Sequence, residues 1–170
     1  MGAPRKRRRG AWQDRVRRPE PKPFGRADVA AVAALEREVF GDPWSRRSFE
    51  EILGLEHLQG FVVGDGRGGL AGYAFCSSVA DEGEILNLAV APALRRQGLG
   101  RVLLDACLGW MTDRGARKVF LEVRRSNEAA IAMYEGQGFE TVGVRRGYYR
   151  KPTEDAVTMA LATTVGSARK

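Results

Sequence analysis

Between Asn87 and Leu108 the chain reads NLAVAPALRRQGLGRVLLDACL, and few folds can hold that order of residues. An apolar run suited to a strand stops at Pro92. Two arginines and a glutamine follow, then Gly-x-Gly. From Leu99 the apolar positions Leu99, Val102, Leu103, Ala106 and Trp110 recur at i, i+3, i+4, i+7 and i+11, one face of a helix. The unit is strand, short basic loop, helix, with the first helical turn expected at Gly98 to Arg101. The first N–H groups of a helix have no internal partner, and the helix dipole is positive there. Gly98 and Gly100 carry no Cβ, so a bulky ligand can approach the backbone. Arg95, Arg96 and Arg101 add full charge. Such a loop suits an anion, most naturally phosphate. It is neither G-x-x-x-x-G-K-[ST] nor G-x-G-x-x-G. A solvated basic helix start would read the same way, so the loop alone leaves the ligand open.

The rest of the chain supplies matching elements. Asp28 is placed to cap a helix over VAAVAALEREVF, which Gly41-Asp42-Pro43 stops; Ser45 caps a second, short one to about Leu53. GFVVGD and LAGYAFCSSVA read as strands joined by the turn Gly66 to Gly69, and GEILNLAVA as a third. KVFLEV is a short apolar strand. Asn127 opens a helix that ends near Gly138, and FETVGVRR and DAVTMAL are the last strands. The order suits a mixed α/β sheet with helices on its faces. At 170 residues this is one domain, long enough to bury a core without staples.

Charge is unevenly placed. Residues 1–26 hold ten Lys or Arg against two acids, while the remainder holds 18 against 19. The first 23 residues are expected to be a disordered basic tail, residues 24–163 the folded domain, and 164–170 a C-terminal tail. The basic tail suits weak contact with RNA or another polyanion, and equally a solubilising extension. It lacks the apolar core of a secretory signal, and Lys6 stands where a myristoylation site wants Ser or Thr. No run approaches a membrane span. Cys76 and Cys107 lie in apolar runs without disulfide or zinc spacing, and His57 is a lone surface or packing residue. The expected location is the cytoplasm.

Two residues stand out for chemistry. Glu122 sits inside VFLEVR, where a charge is costly unless paired, exposed or needed. In NEAAIAMY, Asn127, Ile131 and Tyr134 share one side of a helix. An outward-facing glutamate and a core tyrosine with its hydroxyl at the rim would account for both.

Taken together, LNLAVAPALRRQGLGRVLL, FLEVRRSNEAAIAMYEGQGF and RRGYYRKPTEDAVTMAL resemble the GNAT acetyltransferases, and among them the bacterial RimI type, the ribosomal-protein alanine N-acetyltransferases. DPWS near the front matches that type as well. The resemblance spans roughly residues 28–161. It implies the GNAT fold, a mixed central sheet flanked by helices on both faces, and acetyl-CoA as co-substrate. By the same resemblance Leu88, Ala89 and Val90 pair with the pantetheine arm. Arg96, Gln97, Gly98, Leu99, Gly100 and Arg101 form the pyrophosphate loop, and Asn127 contacts the cofactor. Glu122 accepts a proton and Tyr134 donates one. The segment RRGYYRKPTEDA helps wall the peptide groove. Gln97 replaces a frequent arginine, Gly136 falls in the last turn of a helix, and the first strand of the fold has only PKPFGRA to draw on.

The implied reaction is acetylation of a protein N-terminal α-amine, the alanine of an S18-like ribosomal protein. With a pKa near 8, roughly a tenth of an α-amine is neutral at pH 7, against less than about one in a thousand for lysine. A modest base therefore suffices, and no metal is called for. Two other readings remain: acetylation of a lysine or small-molecule amine, and a ribosome- or RNA-binding module without catalysis.

Overall fold

The computed structural model describes residues 19–163; the basic tail, apart from its last five residues, lies outside them. Seven strands form one sheet in the order β1-β2-β3-β4-β5-β7-β6. These are β1 (Lys22–Pro23), β2 (Leu58–Gly64), β3 (Leu70–Val79), β4 (Glu82–Val90), β5 (Lys118–Arg124), β6 (Glu140–Arg150) and β7 (Thr153–Ala162). Every neighbouring pair is antiparallel except β4 and β5. Helices α1 (Val29–Val39) and α2 (Arg46–Ile52) cover one face, α3 (Leu99–Asp113) and α4 (Glu128–Glu135) the other. This is the mixed, doubly covered sheet expected from the sequence. Among the described residues no helix is long and apolar enough to cross a membrane.

The short first strand is present. Lys22 and Pro23 pair with Val62 and Phe61, so the sheet begins two residues before the domain start expected at residue 24. Phe24 then packs edge-on against Phe75, with ring centroids 4.9 Å apart. Asp28 caps differently from the expectation. Its carboxylate accepts the Gly25 N–H at 2.9 Å and the Lys22 ammonium at 2.9 Å, so it closes the turn before α1 rather than α1 itself. Ser45 behaves as read, accepting the Ser48 N–H at 3.1 Å. Gly136 caps α4 rather than lying within it, and Gly138 takes the left-handed turn that follows.

Each face has its own core. Leu103, Leu104, Cys107 and Met111 of α3 are fully buried against Ala74, Cys76, Val119 and Leu121. On the other face Val32, Phe49, Tyr73 and Phe75 are equally buried. Cys76 and Cys107 are both free thiols inside the first core. His57 lies at the surface.

Candidate functional site

The site begins where two strands part. β4 and β5 pair only from Glu82↔Lys118 to Ile85↔Leu121. Beyond that rung β5 stays with β7, and β4 stays with β3. The parting coincides with a bulge. Phe75 opposes Asn87 and Cys76 opposes Ile85, which leaves Leu86 as an extra residue on β4. Bulges bend a strand and turn its edge. The edge of β4 over Leu86–Val90 thus faces a gap with unpaired backbone groups. Leu88, Ala89 and Val90 lie along it, anchored by Leu88 and Val90 in one core and Ala89 in the other.

The basic loop follows from the end of β4. Arg96 (φ 65°) and Gly98 (φ 81°) adopt left-handed backbone and swing the chain into α3. The first helical bond runs from the Val102 N–H to the Gly98 carbonyl at 3.1 Å, so the N–H groups of Leu99, Gly100 and Arg101 precede it. Leu99 is buried and anchors the loop, whereas a Cβ on Gly98 would meet open space. A Cβ on Gly100 would come within 3.0 Å of the Met133 sulfur. The helix therefore starts at Leu99, one residue later than the sequence suggests. Arg96, Gln97 and Arg101 are exposed around this cradle. Arg95, exposed as well, donates from its Nε to the Val90 carbonyl at 3.3 Å, which ties the loop back to the end of β4. Free N–H groups, positive charge and missing side chains fit a pyrophosphate.

Asn127 and Tyr134 come from α4. The Asn127 Oδ1 accepts the Ala130 N–H at 3.2 Å, so its carbonyl caps the helix and its amide N–H groups remain to donate. The Tyr134 ring is 7% exposed and meets Phe139 edge-on at 5.7 Å. Burial above all, then Cys107 and Tyr149, pushes its hydroxyl well above the usual tyrosine range. Such a hydroxyl stays protonated across the neutral range.

Glu122 belongs to the opposite face of the sheet from α3. Its side chain is 18% exposed, and its Oε1 accepts from the Arg145 guanidinium of β6 at 2.8 Å. Arg145 also lies over the Tyr148 ring, 4.4 Å from the centroid. Next to it Arg124 stacks on Tyr149 at 4.2 Å, pairs with Glu154 at 3.2 Å, and donates to the Lys151 and Pro152 carbonyls. Glu154 in turn accepts the Ser126 N–H at 2.6 Å. These contacts clamp the β6–β7 tip to the end of β5. Burial, and less so Tyr148, pushes the Tyr149 hydroxyl up to about 12. Tyr148 itself is 42% exposed, an aromatic surface beside Glu122.

One buried carboxylate was not anticipated. Glu36 of α1 is 1% exposed. It accepts from the Trp44 N–H at 2.9 Å, from Asn87 Nδ2 at 3.0 and 3.2 Å, and from the Tyr73 hydroxyl. It thereby ties α1, the chain entering α2, and β3 to the bulge of β4. Its signal was available: Glu36 follows Val29 and Val32 at i+7 and i+4, on the buried stripe of α1. Glu84 lies on the neighbouring strand opposite Phe120, on the same face as Glu122.

Comparison with known proteins agrees with this geometry. The acetyltransferase (GNAT) family matches residues 29–139. The [ribosomal protein bS18]-alanine N-acetyltransferase of Escherichia coli K12 is 40% identical over 138 residues, which cover 79% of this chain and 90% of the relative. The N-alpha-acetyltransferase RimI of Mycobacterium tuberculosis is 41% identical over 149 residues, 82% of this chain and 92% of the relative. The crystal structure of the ribosomal-protein-S18-alanine N-acetyltransferase from E. coli superposes with a TM-score of 0.77 at 35% identity, covering 88% of this chain and 97% of that one.

Proposed function

Because the chain belongs to the acetyltransferase (GNAT) family, with acetyl-CoA as its acyl donor, we propose that it acetylates the N-terminal alanine of ribosomal protein bS18. The observation that carries this reading is the gap between β4 and β5, with an anion cradle at one end and Glu122 beside an aromatic wall on the other side. Acetyl-CoA supplies an activated thioester. Backbone N–H groups at Leu99, Gly100 and Arg101, with Arg96 and Gln97, hold its pyrophosphate. The β4 edge at Leu88, Ala89 and Val90 pairs with its pantetheine amides, and Asn127 steadies the arm from α4.

In this reading the acceptor enters from the α1–α2 side, between DPWS and the β6–β7 tip. Glu122 meets its amine and takes the proton directly or through water. The Tyr134 hydroxyl, kept protonated by burial, gives its proton to the departing sulfur. Glu36 positions both walls by holding Asn87 and Trp44.

The test is acetyl-CoA turnover over a panel of acceptors. It compares an Ala-starting peptide, the same peptide with a blocked terminus and an internal lysine, and a polyamine. The free Ala terminus is expected to be the best acceptor by at least about tenfold in kcat/KM, given its larger neutral fraction. A preference for lysine or the polyamine would overturn the assignment.

A further inference from the structure

We propose that Glu36 is a positioning residue that couples the two substrate sites: acetyl-CoA seated on β4 fixes, through Asn87 and Glu36, the Trp44 loop that receives the acceptor, and the acceptor in turn fixes β4. The inference deepens the N-terminal acetyltransferase reading and depends on it. Glu36 is 1% exposed and touches neither substrate, but it holds one element of each site. Its Oε1 accepts the Trp44 N–H at 2.9 Å, and Trp44 belongs to DPWS on the acceptor side. Asn87 Nδ2 donates to both carboxylate oxygens, at 3.0 and 3.2 Å, and the residues that follow Asn87 are Leu88, Ala89 and Val90. A second route joins the same two places. The Trp44 ring packs on Phe75 with centroids 6.2 Å apart, and Phe75 of β3 is the register partner of Asn87.

The chemistry of the group makes the tie hard to give up. An ionised carboxylate only accepts, and out of water its lone pairs must be met. Among the described residues no Lys or Arg pairs with Glu36, so neutral donors meet them: the Trp44 N–H, Asn87 and the Tyr73 hydroxyl. Burial first, then the Glu36 charge, holds the Tyr73 hydroxyl well above the usual tyrosine range, so it remains a donor. Withdrawing Trp44 or Asn87 would leave part of a buried charge unmet, which ties the movement of the loop to that of the strand.

β4 is free to respond to a ligand. Leu86, the extra residue of its bulge, directly precedes Asn87, and beyond it the edge toward β5 is unpaired. Pantetheine amides on Leu88–Val90 complete that edge and fix the strand past its bulge. The α1–α2 loop also lies against the far wall of the acceptor path, since a Cβ on Gly41 would run into the Lys151 carbonyl of the β6–β7 tip. A small displacement of Trp44 therefore changes the width of that path. Coupling between two binding sites is reciprocal, each ligand tightening the other by one factor.

The experiment is calorimetry on the full chain with an Ala-starting peptide and CoA, which has the same pyrophosphate and pantetheine arm but no acetyl group to transfer. Peptide is titrated with and without saturating CoA, and CoA with and without saturating peptide. In the wild type each is expected to tighten the other by the same factor, about fivefold or more. Asn87→Ala and Glu36→Gln are expected to bring the factor within about twofold of one, while CoA alone binds as it does to wild type. Tyr73→Phe removes a donor that belongs to neither site, so it should melt at a lower temperature and keep the wild-type factor. A wild-type factor near one, an unchanged factor in Asn87→Ala or Glu36→Gln, or a factor lost in Tyr73→Phe as well would overturn the proposal. Where Glu36→Gln does not fold, Asn87→Ala, at a half-buried position, decides. A wild type that turns over no peptide removes the parent reading too, whereas an active wild type with a factor near one removes only this one.

Discussion

The two sides of the parted sheet are built in different ways. The cradle side is a contiguous run, Arg96 to Arg101, and it presents mainly backbone: two left-handed residues, unbonded N–H groups and absent side chains. The acceptor side has no contiguous part. Glu122 and Arg124 come from β5, Arg145, Tyr148 and Tyr149 from β6, and Glu154 from β7, joined by ion pairs and cation–π contacts. A backbone cradle recognises a group common to every acetyl-CoA molecule and has little to vary. A side-chain face can change its acceptor by substitution while the sheet stays intact. The division predicts that damage to one side leaves the other working.

The largest effects should come from Glu122 and Tyr134, the two residues proposed to carry protons. Glu122→Gln and Tyr134→Phe are each expected to cost 10²- to 10⁴-fold in kcat/KM, the usual size for positioned proton transfer. They should differ in pH dependence. The Glu122→Gln defect should shrink toward pH 9 as the amine deprotonates itself, while Tyr134→Phe, impaired in sulfur departure, should gain nothing. Parallel pH profiles would erase the distinction between the roles. Both variants should bind acetyl-CoA as wild type does.

Gly100→Val is expected to weaken acetyl-CoA binding by about tenfold or more, about 1.4 kcal/mol. The added atoms crowd Met133 and cover the N–H groups of the loop. Calorimetry reads this directly. The pH dependence of kcat should not move, and a shift in it would show that the two sides are coupled.

A smaller effect is expected from Arg145→Met. The pair with Glu122 has its arginine side chain 57% exposed, and pairs of that kind are worth at most about 1 kcal/mol. A change of about fivefold or less in peptide KM should result, with acetyl-CoA affinity unchanged. A loss as large as that of Glu122→Gln would make Arg145 a direct binder of the acceptor.

Deleting residues 1–18 should do least. Activity on a short peptide should stay at the wild-type level, and any loss should appear only on ribosomal particles and fade as salt rises. Extending the deletion to residue 23 removes the β1 pairing, so thermal melting should fall for that variant alone. Equal melting temperatures would show that β1 is dispensable.

Local signals accounted for much of the molecule. The 3.6-residue pattern after Leu99, the caps at Ser45 and Asn127, and the Gly-rich hairpin were legible because each depends on residues within one or two turns. The turn before α3 and the start of that helix were legible for the same reason. Glu122 and Tyr134 were singled out as a charge in an apolar strand and an aromatic on a helix side, but their partners were not. Asp28 failed as a cap because a nearer turn, with Lys22 and Gly25, claimed its carboxylate.

What tertiary structure alone decided is which distant residues meet. Arg145 reaches Glu122 across 23 positions, and Glu36 reaches Tyr73 and Asn87 across 37 and 51. A one-residue change of register on β5, β6 or β7 would send Glu122 or Arg145 to the other face of the sheet. That register is set by packing both cores at once and, along β6, by its own shifts between Thr141 and Gly143 and between Arg145 and Tyr149. Periodicity shows which face of an element is apolar. It carries no information on which strand lies alongside, because that choice is made by the summed burial of the whole sheet.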